Sequence, residues 1–153
     1  MIVPAPYHRL VARALLHRDG ELLLVRQRSL RSGRPFWTLP GGLVEPDETL
    51  AEAVRRELRE ETGLDADPLG VVALQELPHV NLLEVVLLCQ HPRGSLRTGF
   101  DPELADPHRI LEVRWFPLAA LPPCQPAPLL AALLQQGIDS LPRLPLPHRL
   151  ALD

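Results

Sequence analysis

Lysine is missing from this 153-residue chain, so all 16 of its basic residues are arginine. A GC-rich genome explains that bias without selection on function, although the planar fork of arginine also suits phosphate recognition. Aromatic residues are scarce at 4%, and several of the few present must serve the core. Only two cysteines occur, Cys89 in an apolar strand-like run and Cys124 in a proline-rich segment. They read as a reduced buried thiol and a surface thiol rather than a bridge. No apolar run approaches the roughly 18 residues of a membrane span. The opening MIVPAPYHRL lacks the long apolar segment and cleavage site of a secretory signal, so a cytoplasmic location is the default expectation. The net charge of −3 gives no support for binding a polymeric nucleic acid. Apolar content of 46% argues against disorder, and the length suits one domain with a real core.

Alternation and turn residues outline the elements. Residues 9–17 and 21–28 are apolar runs separated by Asp19-Gly20, a hairpin signal. Ser29 to Pro35 reads as a loop, and Phe36 to Leu39 as a short strand running into Pro40-Gly41-Gly42. A helix is expected over 49–62. Two further strands are expected at 69–77 and 81–90, joined around Pro78-His79, and another at 110–116. Residues 91–109 carry five Gly and Pro residues and read as a long loop. A short Ala/Leu-rich helix is expected at 127–136. The segment from Pro122 onward holds seven prolines and reads as either an extended wrap or a partly disordered tail. No internal repeat occurs, and the element pattern reads as α+β.

The helix at 49–62 carries the chemistry. With Glu57 as zero and about 100° per residue, Glu60 falls near roughly −60° and Glu61 near roughly +40°, so three carboxylates share one face. Such crowding costs stability unless a cation neutralises it, and hard oxygen ligands suit Mg²⁺ or Mn²⁺. A solvated surface helix is the competing account of a charged run. The wheel opposes it: Leu50, Val54 and Leu58 border the carboxylates, while Glu52, Arg55 and Arg59 fill the solvent side. Thr49 to Glu52 supplies a capping box and Gly63 the stop.

Residues 42–64, GLVEPDETLAEAVRRELREETGL, resemble the Nudix box, G-x5-E-x7-R-E-U-x-E-E-x-G-U with U aliphatic. The match falls on Gly42, Glu48, Arg56, Glu57, Leu58, Glu60, Glu61, Gly63 and Leu64, with no departure. Flanking LLLVRQR, FWTLPGG and LEVRWFPLAAL also resemble the family, so the likeness covers roughly residues 8–121. It implies a Nudix-type α/β/α sandwich with a mixed β-sheet. The expected organisation is a Nudix domain over 1–121, with a short helix and proline-rich tail at 122–153 belonging to the same domain. The implied activity is Mg-dependent hydrolysis of a phosphoanhydride in a nucleoside diphosphate linked to another moiety, such as ADP-ribose, a nucleotide sugar or a (d)NTP. The alternative is a catalytically inactive Nudix-fold module that binds nucleotides or regulates. Expected partners are a nucleotide-type small molecule and, as an open alternative, a second copy in a homodimer. Neither a membrane nor a nucleic-acid polymer is expected.

Glu57, Glu60 and Glu61 are assigned as primary metal ligands, with a carbonyl near Gly41 completing the shell or Gly41 and Gly42 simply making the turn. Glu48 is a further ligand. The resemblance implies that Glu57 also acts on the nucleophilic water. Arg56 is no base at neutral pH; it either orients a neighbouring Glu or forms a surface pair with Glu52. Many family members carry a further Glu before the R-W motif, where this chain has His108-Arg109-Ile110. Glu103, Asp106, His108 and Glu112 are the possible replacements. Candidates for the nucleobase are Tyr7, Phe36, Trp37 and His79, since bases stack on aromatic faces. Arg26 and Arg28 share a strand face and either grip phosphate or are solvated. Trp115 is expected to pack. Pro78 lies near where ADP-ribose enzymes often carry a proline.

Overall fold

The computed structural model describes residues 9–29, 31–99, 110–125 and 127–150. Tyr7, Glu103, Asp106 and His108 lie outside them. Strands β1 (Arg9–Arg18) and β2 (Glu21–Arg28) form the expected hairpin, with positive φ at both Asp19 and Gly20, the geometry that matches strand twist. β3 (Pro35–Thr38) and β4 (Gly41–Leu43) follow, then helix α1 (Leu50–Thr62), β5 (Leu64–Leu77), β6 (Leu82–Gly94), β7 (Ile110–Pro117), β8 (Cys124–Gln125) and helix α2 (Ala127–Gln136).

The sheet runs β5-β6-β1-β2-β3-β8, with β4 on β1 and β7 on β2. The β1–β6 and β3–β8 pairs are parallel, so the sheet is mixed. β1 and β6 are buried on both faces, which is why they read as near-continuous apolar runs. Ala12, Ala14, Leu16, Val85 and Leu87 face the α1 residues Ala53, Val54 and Leu58. Leu15, Val86 and Leu88 face the α2 residues Leu129, Leu130 and Leu133. Full burial of side chains such as Leu58 contributes about 1.5–3 kcal/mol each and fixes α1 on the sheet.

Three expectations needed correction. β5 starts at Leu64, not residue 69; bulges at Asp65/Asp67, Pro68/Gly70 and Val71/Ala73 absorb the proline on this outer strand. Gly41-Gly42 is not merely a turn: it opens β4, paired antiparallel with Val11–Arg13. The presumed loop from residue 91 begins as strand to Gly94, and then Arg97 and Gly99 donate N–H bonds to the α1 carbonyls of Thr62 and Glu61. Downstream of α2 the chain returns to the sheet, where Val71 and Leu144 exchange backbone hydrogen bonds of 2.8 and 2.9 Å. Leu146 packs against the α1-side core.

β1 and β2 pair only at their turn-proximal ends, His17↔Leu22 and Arg18↔Glu21. Beyond that they splay, β1 going to β4 and β2 to β3 and β7. The splay opens a cleft lined by Arg13 of β1, Gln27 of β2, Phe36 and Thr38 of β3 and Glu84 of β6. Cys89 and Cys124 are both free, and burial pushes the Cys89 thiol up to about 12. Among the described residues no helix is long and apolar enough to cross a membrane.

Candidate active site

α1 is anchored at both ends. The Thr49 side chain accepts from the Glu52 N–H while the Glu52 carboxylate accepts from the Thr49 N–H, and Gly63 closes the helix in the left-handed region at φ 75°. That fixes the phase of the helix, and Glu57 and Glu61 come out inward, each 1% exposed.

Arg56 organises the rim. Its Nε and Nη2 donate to the two Glu48 oxygens at 2.8 and 3.1 Å, its Nη1 to Glu57 Oε1 at 3.1 Å and Glu60 Oε2 at 3.2 Å, and its Nη2 also to the Leu43 carbonyl at 2.8 Å. This is the bidentate, charge-assisted pattern for which arginine is suited. Burial alone would raise the Glu48 carboxyl, but bonds from Arg56 and the Glu45 backbone hold it below its ordinary value. Glu52 does not compete for Arg56: its partners are Thr49 and Arg149.

Glu61 sits deeper. Its Oε1 accepts from the Gly41 N–H at 3.1 Å, and its Oε2 is buried with no hydrogen-bond partner among the described residues. Burial first, and then the neighbouring Glu57 charge, raises the Glu61 carboxyl well above its ordinary value, against the opposing pull of Arg13. A side chain at Gly42 would place its Cβ 2.4 Å from Glu57 Oε1. Glycine there is what lets β4 approach the carboxylate.

A buried acceptor-only oxygen beside a second buried carboxylate fits a hard divalent cation. Among the described residues, however, no three such side chains converge as a ready cage. Arg56 Nη1 lies between Glu57 and Glu60, and Glu60 stays at the rim, its side chain 25% exposed. The structure thus brings Glu57, Glu61, Glu48, Arg56 and the Gly41-Gly42 backbone together and holds Glu60 to one side.

Arg26, Arg28 and Trp37 are placed elsewhere. Arg26 pairs in register with Trp37, and both line a shallow pocket with Cys124. Trp37 stacks edge-on to Phe116 at 4.8 Å, and Arg28 donates to the Gly33 carbonyl. Gln27, the next residue along, lines the cleft, and Phe36 lines both the cleft and the Arg26 pocket. Glu112 pairs opposite Arg26 and is bound to Arg114, so it shares that outer face. His79 lines the cleft, and Trp115 packs against the core under the Arg18 guanidinium.

Two further residues went unrecognised in the sequence. Arg13 on β1 donates to Glu84 Oε1 on β6 at 2.9 Å and to the Leu39 carbonyl at 3.0 Å. Each is the lone charge in an apolar run, which is the signal that could have found them. Their pair forms one wall of the cleft, about 700 Å³ in volume, within the usual size range for small-molecule sites.

Comparison with known proteins matches residues 6–136 to the NUDIX domain. The mouse (Mus musculus) 8-oxo-dGDP phosphatase NUDT18 is 32% identical over 112 residues, 73% of this chain and 33% of that protein. The NAD-capped RNA hydrolase NudC of Shigella flexneri is 32% identical over 107 residues, 70% of this chain and 38% of that protein. Among solved structures, a MutT NUDIX hydrolase from Burkholderia pseudomallei superposes with TM-score 0.66 at 30% identity, covering 84% of this chain and 97% of that one. An ADP-ribose pyrophosphatase from Streptococcus suis does so with TM-score 0.64 at 27% identity, covering 84% and 90%. The chain belongs to the Nudix family. It spans about a third of the length of the curated relatives named here.

Proposed function

We propose that this protein is a divalent-metal-dependent pyrophosphohydrolase that cleaves a phosphoanhydride in a nucleoside diphosphate linked to another moiety. The observation that carries the reading is the buried Glu57–Glu61 pair, with an orphaned oxygen on Glu61, close to a nucleotide-sized cleft. 8-oxo-dGDP, NAD-capped RNA and ADP-ribose, named for the relatives and the solved structure, all contain a nucleoside diphosphate.

Glu57 and Glu61 would hold the cation, with Glu60 and Glu48 as further ligands and a backbone carbonyl near Gly41 in reach of the same shell. Bound there, Mg²⁺ or Mn²⁺ neutralises phosphoryl oxygens and lowers the pKa of a water. Arg56 orients Glu48 and Glu57 through the bonds described and keeps its own proton. The Gly41 N–H fixes one Glu61 oxygen and so leaves the other directed away. Arg13 ties the Leu39 carbonyl to β1, which holds the Gly41-Gly42 segment against the helix. Glu57 is the proposed base within the box; of the downstream candidates, Glu112 is bound to Arg114 on the outer face.

Chromatographic detection of the nucleoside monophosphate formed from a panel of nucleoside diphosphate derivatives tests this directly. Turnover is expected with Mg²⁺ or Mn²⁺, abolished by EDTA and restored by adding metal back. Full turnover in metal-free buffer, or none with any member of the panel, would remove the reading.

A further inference from the structure

We propose that Glu84, held by Arg13, reads the nucleobase and selects guanine over adenine. The proposal deepens the pyrophosphohydrolase reading and rests on it for the identity of the ligand class. Its structural basis lies in the cleft, whose wall includes Arg13, the cation that acts on Glu61. Glu84 is only 9% exposed, and its Oε1 is bound by Arg13. No bond to its Oε2 occurs among the described residues. Gln27, 7% exposed, faces the same cavity, and its amide also has no hydrogen-bond partner among the described residues. Phe36 and His79 supply flat faces on the walls, and the Thr38 hydroxyl is already spent on the Gln125 carbonyl. Both side chains are mostly buried yet open onto a ligand-sized cavity, where a ligand can meet the groups that the fold leaves unpaired.

The chemistry of the pair decides which ligand. A carboxylate offers acceptors and no donor. The N1–H and N2–H₂ of guanine are two adjacent donors, and a single carboxylate can accept both. Adenine and cytosine, set the same way, bring a ring nitrogen lone pair against the second oxygen, and uracil brings a carbonyl. Each of those bases keeps at most one charge-assisted bond where guanine makes two. Arg13 holds the Glu84 carboxylate in place and, through its Nη2, which makes no bond among the described residues, offers a donor in the same wall. The Gln27 amide adds a donor for the guanine carbonyl. A site built to hydrogen-bond one edge rejects the analogue that leaves its buried groups unmet.

The experiment measures equilibrium binding of GMP, IMP and AMP by calorimetry. These monophosphates contain no phosphoanhydride, so the result is independent of whether the protein is a hydrolase. Loss of turnover in the panel would sink the function while leaving this binding order intact, and the converse also holds. GMP is expected to bind roughly 10-fold or more tightly than IMP, which lacks only the N2 amino group, and more tightly still than AMP. Glu84→Gln presents one acceptor and two donors, so the GMP:AMP ratio should fall by roughly 10-fold. Equal affinity for GMP and IMP overturns the proposal, as does an unchanged ratio in folded Glu84→Gln. If that variant does not fold, the comparison of GMP with IMP on the unaltered protein decides alone.

Discussion

At the residue scale, the division of labour follows from which oxygens are already engaged. Glu48 is held at both oxygens by Arg56, whereas Glu61 keeps one buried oxygen with no partner among the described residues. Glu57 shares Arg56 with Glu48 and sets its charge beside Glu61. Glu57→Gln keeps its shape and removes that charge, so kcat should fall about 10²–10⁴-fold, the usual scale for losing a general base. Glu112→Gln should change kcat little, because Glu112 is bound to Arg114 on the outer face. Equal losses in the two would place the base on β7. The box residues were legible because their spacing fixes a helix face by itself. Which of Arg26 and Gln27 lines the larger cleft was not, since strand phase is set by which side the core occupies. Arg13 and Glu84 stand 71 positions apart, so only the parallel pairing of β1 with β6 reveals that they meet.

At the element scale, α1 was legible almost to the residue because both of its ends are written in local chemistry. Thr49 caps it and Gly63 stops it. Thr49→Ala removes the bond to the Glu52 N–H and should cost about 1 kcal/mol in denaturant unfolding. It should also lower activity, since Glu48 immediately precedes the cap. A variant with full activity and unchanged stability would show the cap to be idle. The strands were read less well. Pro68 marks a break by its local preference, yet β5 passes through it on bulges sustained by pairing with β6. Likewise Gly41-Gly42 carries no strand propensity; its pairing with Val11–Arg13 is imposed by tertiary structure. Cys124-Gln125 becomes a strand only because Trp37-Thr38 lies alongside.

At the scale of the whole molecule, a mixed sheet covered on its two faces by α1 and α2 agrees with the expected sandwich, and the return of the chain to Val71 sets Leu144 and Leu146 of the proline-rich segment against the sheet and core. Sheet order depends on contacts far apart in sequence, so composition could not supply it and family likeness did. The fold also stores a cost at its centre. Burial, with Glu57 alongside, raises the Glu61 carboxyl well above its ordinary value. A carboxyl whose folded pKa lies above the unfolded one stabilises the fold fully below the unfolded value, and that contribution is lost as pH rises through the folded value. In EDTA the melting temperature should therefore fall as pH rises from about 5 towards 8, the range above an unperturbed glutamate. A bound divalent ion neutralises the ionised pair, so added Mg²⁺ or Mn²⁺ should raise the melting temperature more at the upper end of that range than at the lower. At free metal roughly 100 times Kd the gain is about 2.7 kcal/mol. Glu61→Gln should flatten the pH dependence in EDTA and shrink the metal-induced shift. A shift equal at both ends of the range, or one that survives Glu61→Gln undiminished, would locate the metal away from this pair.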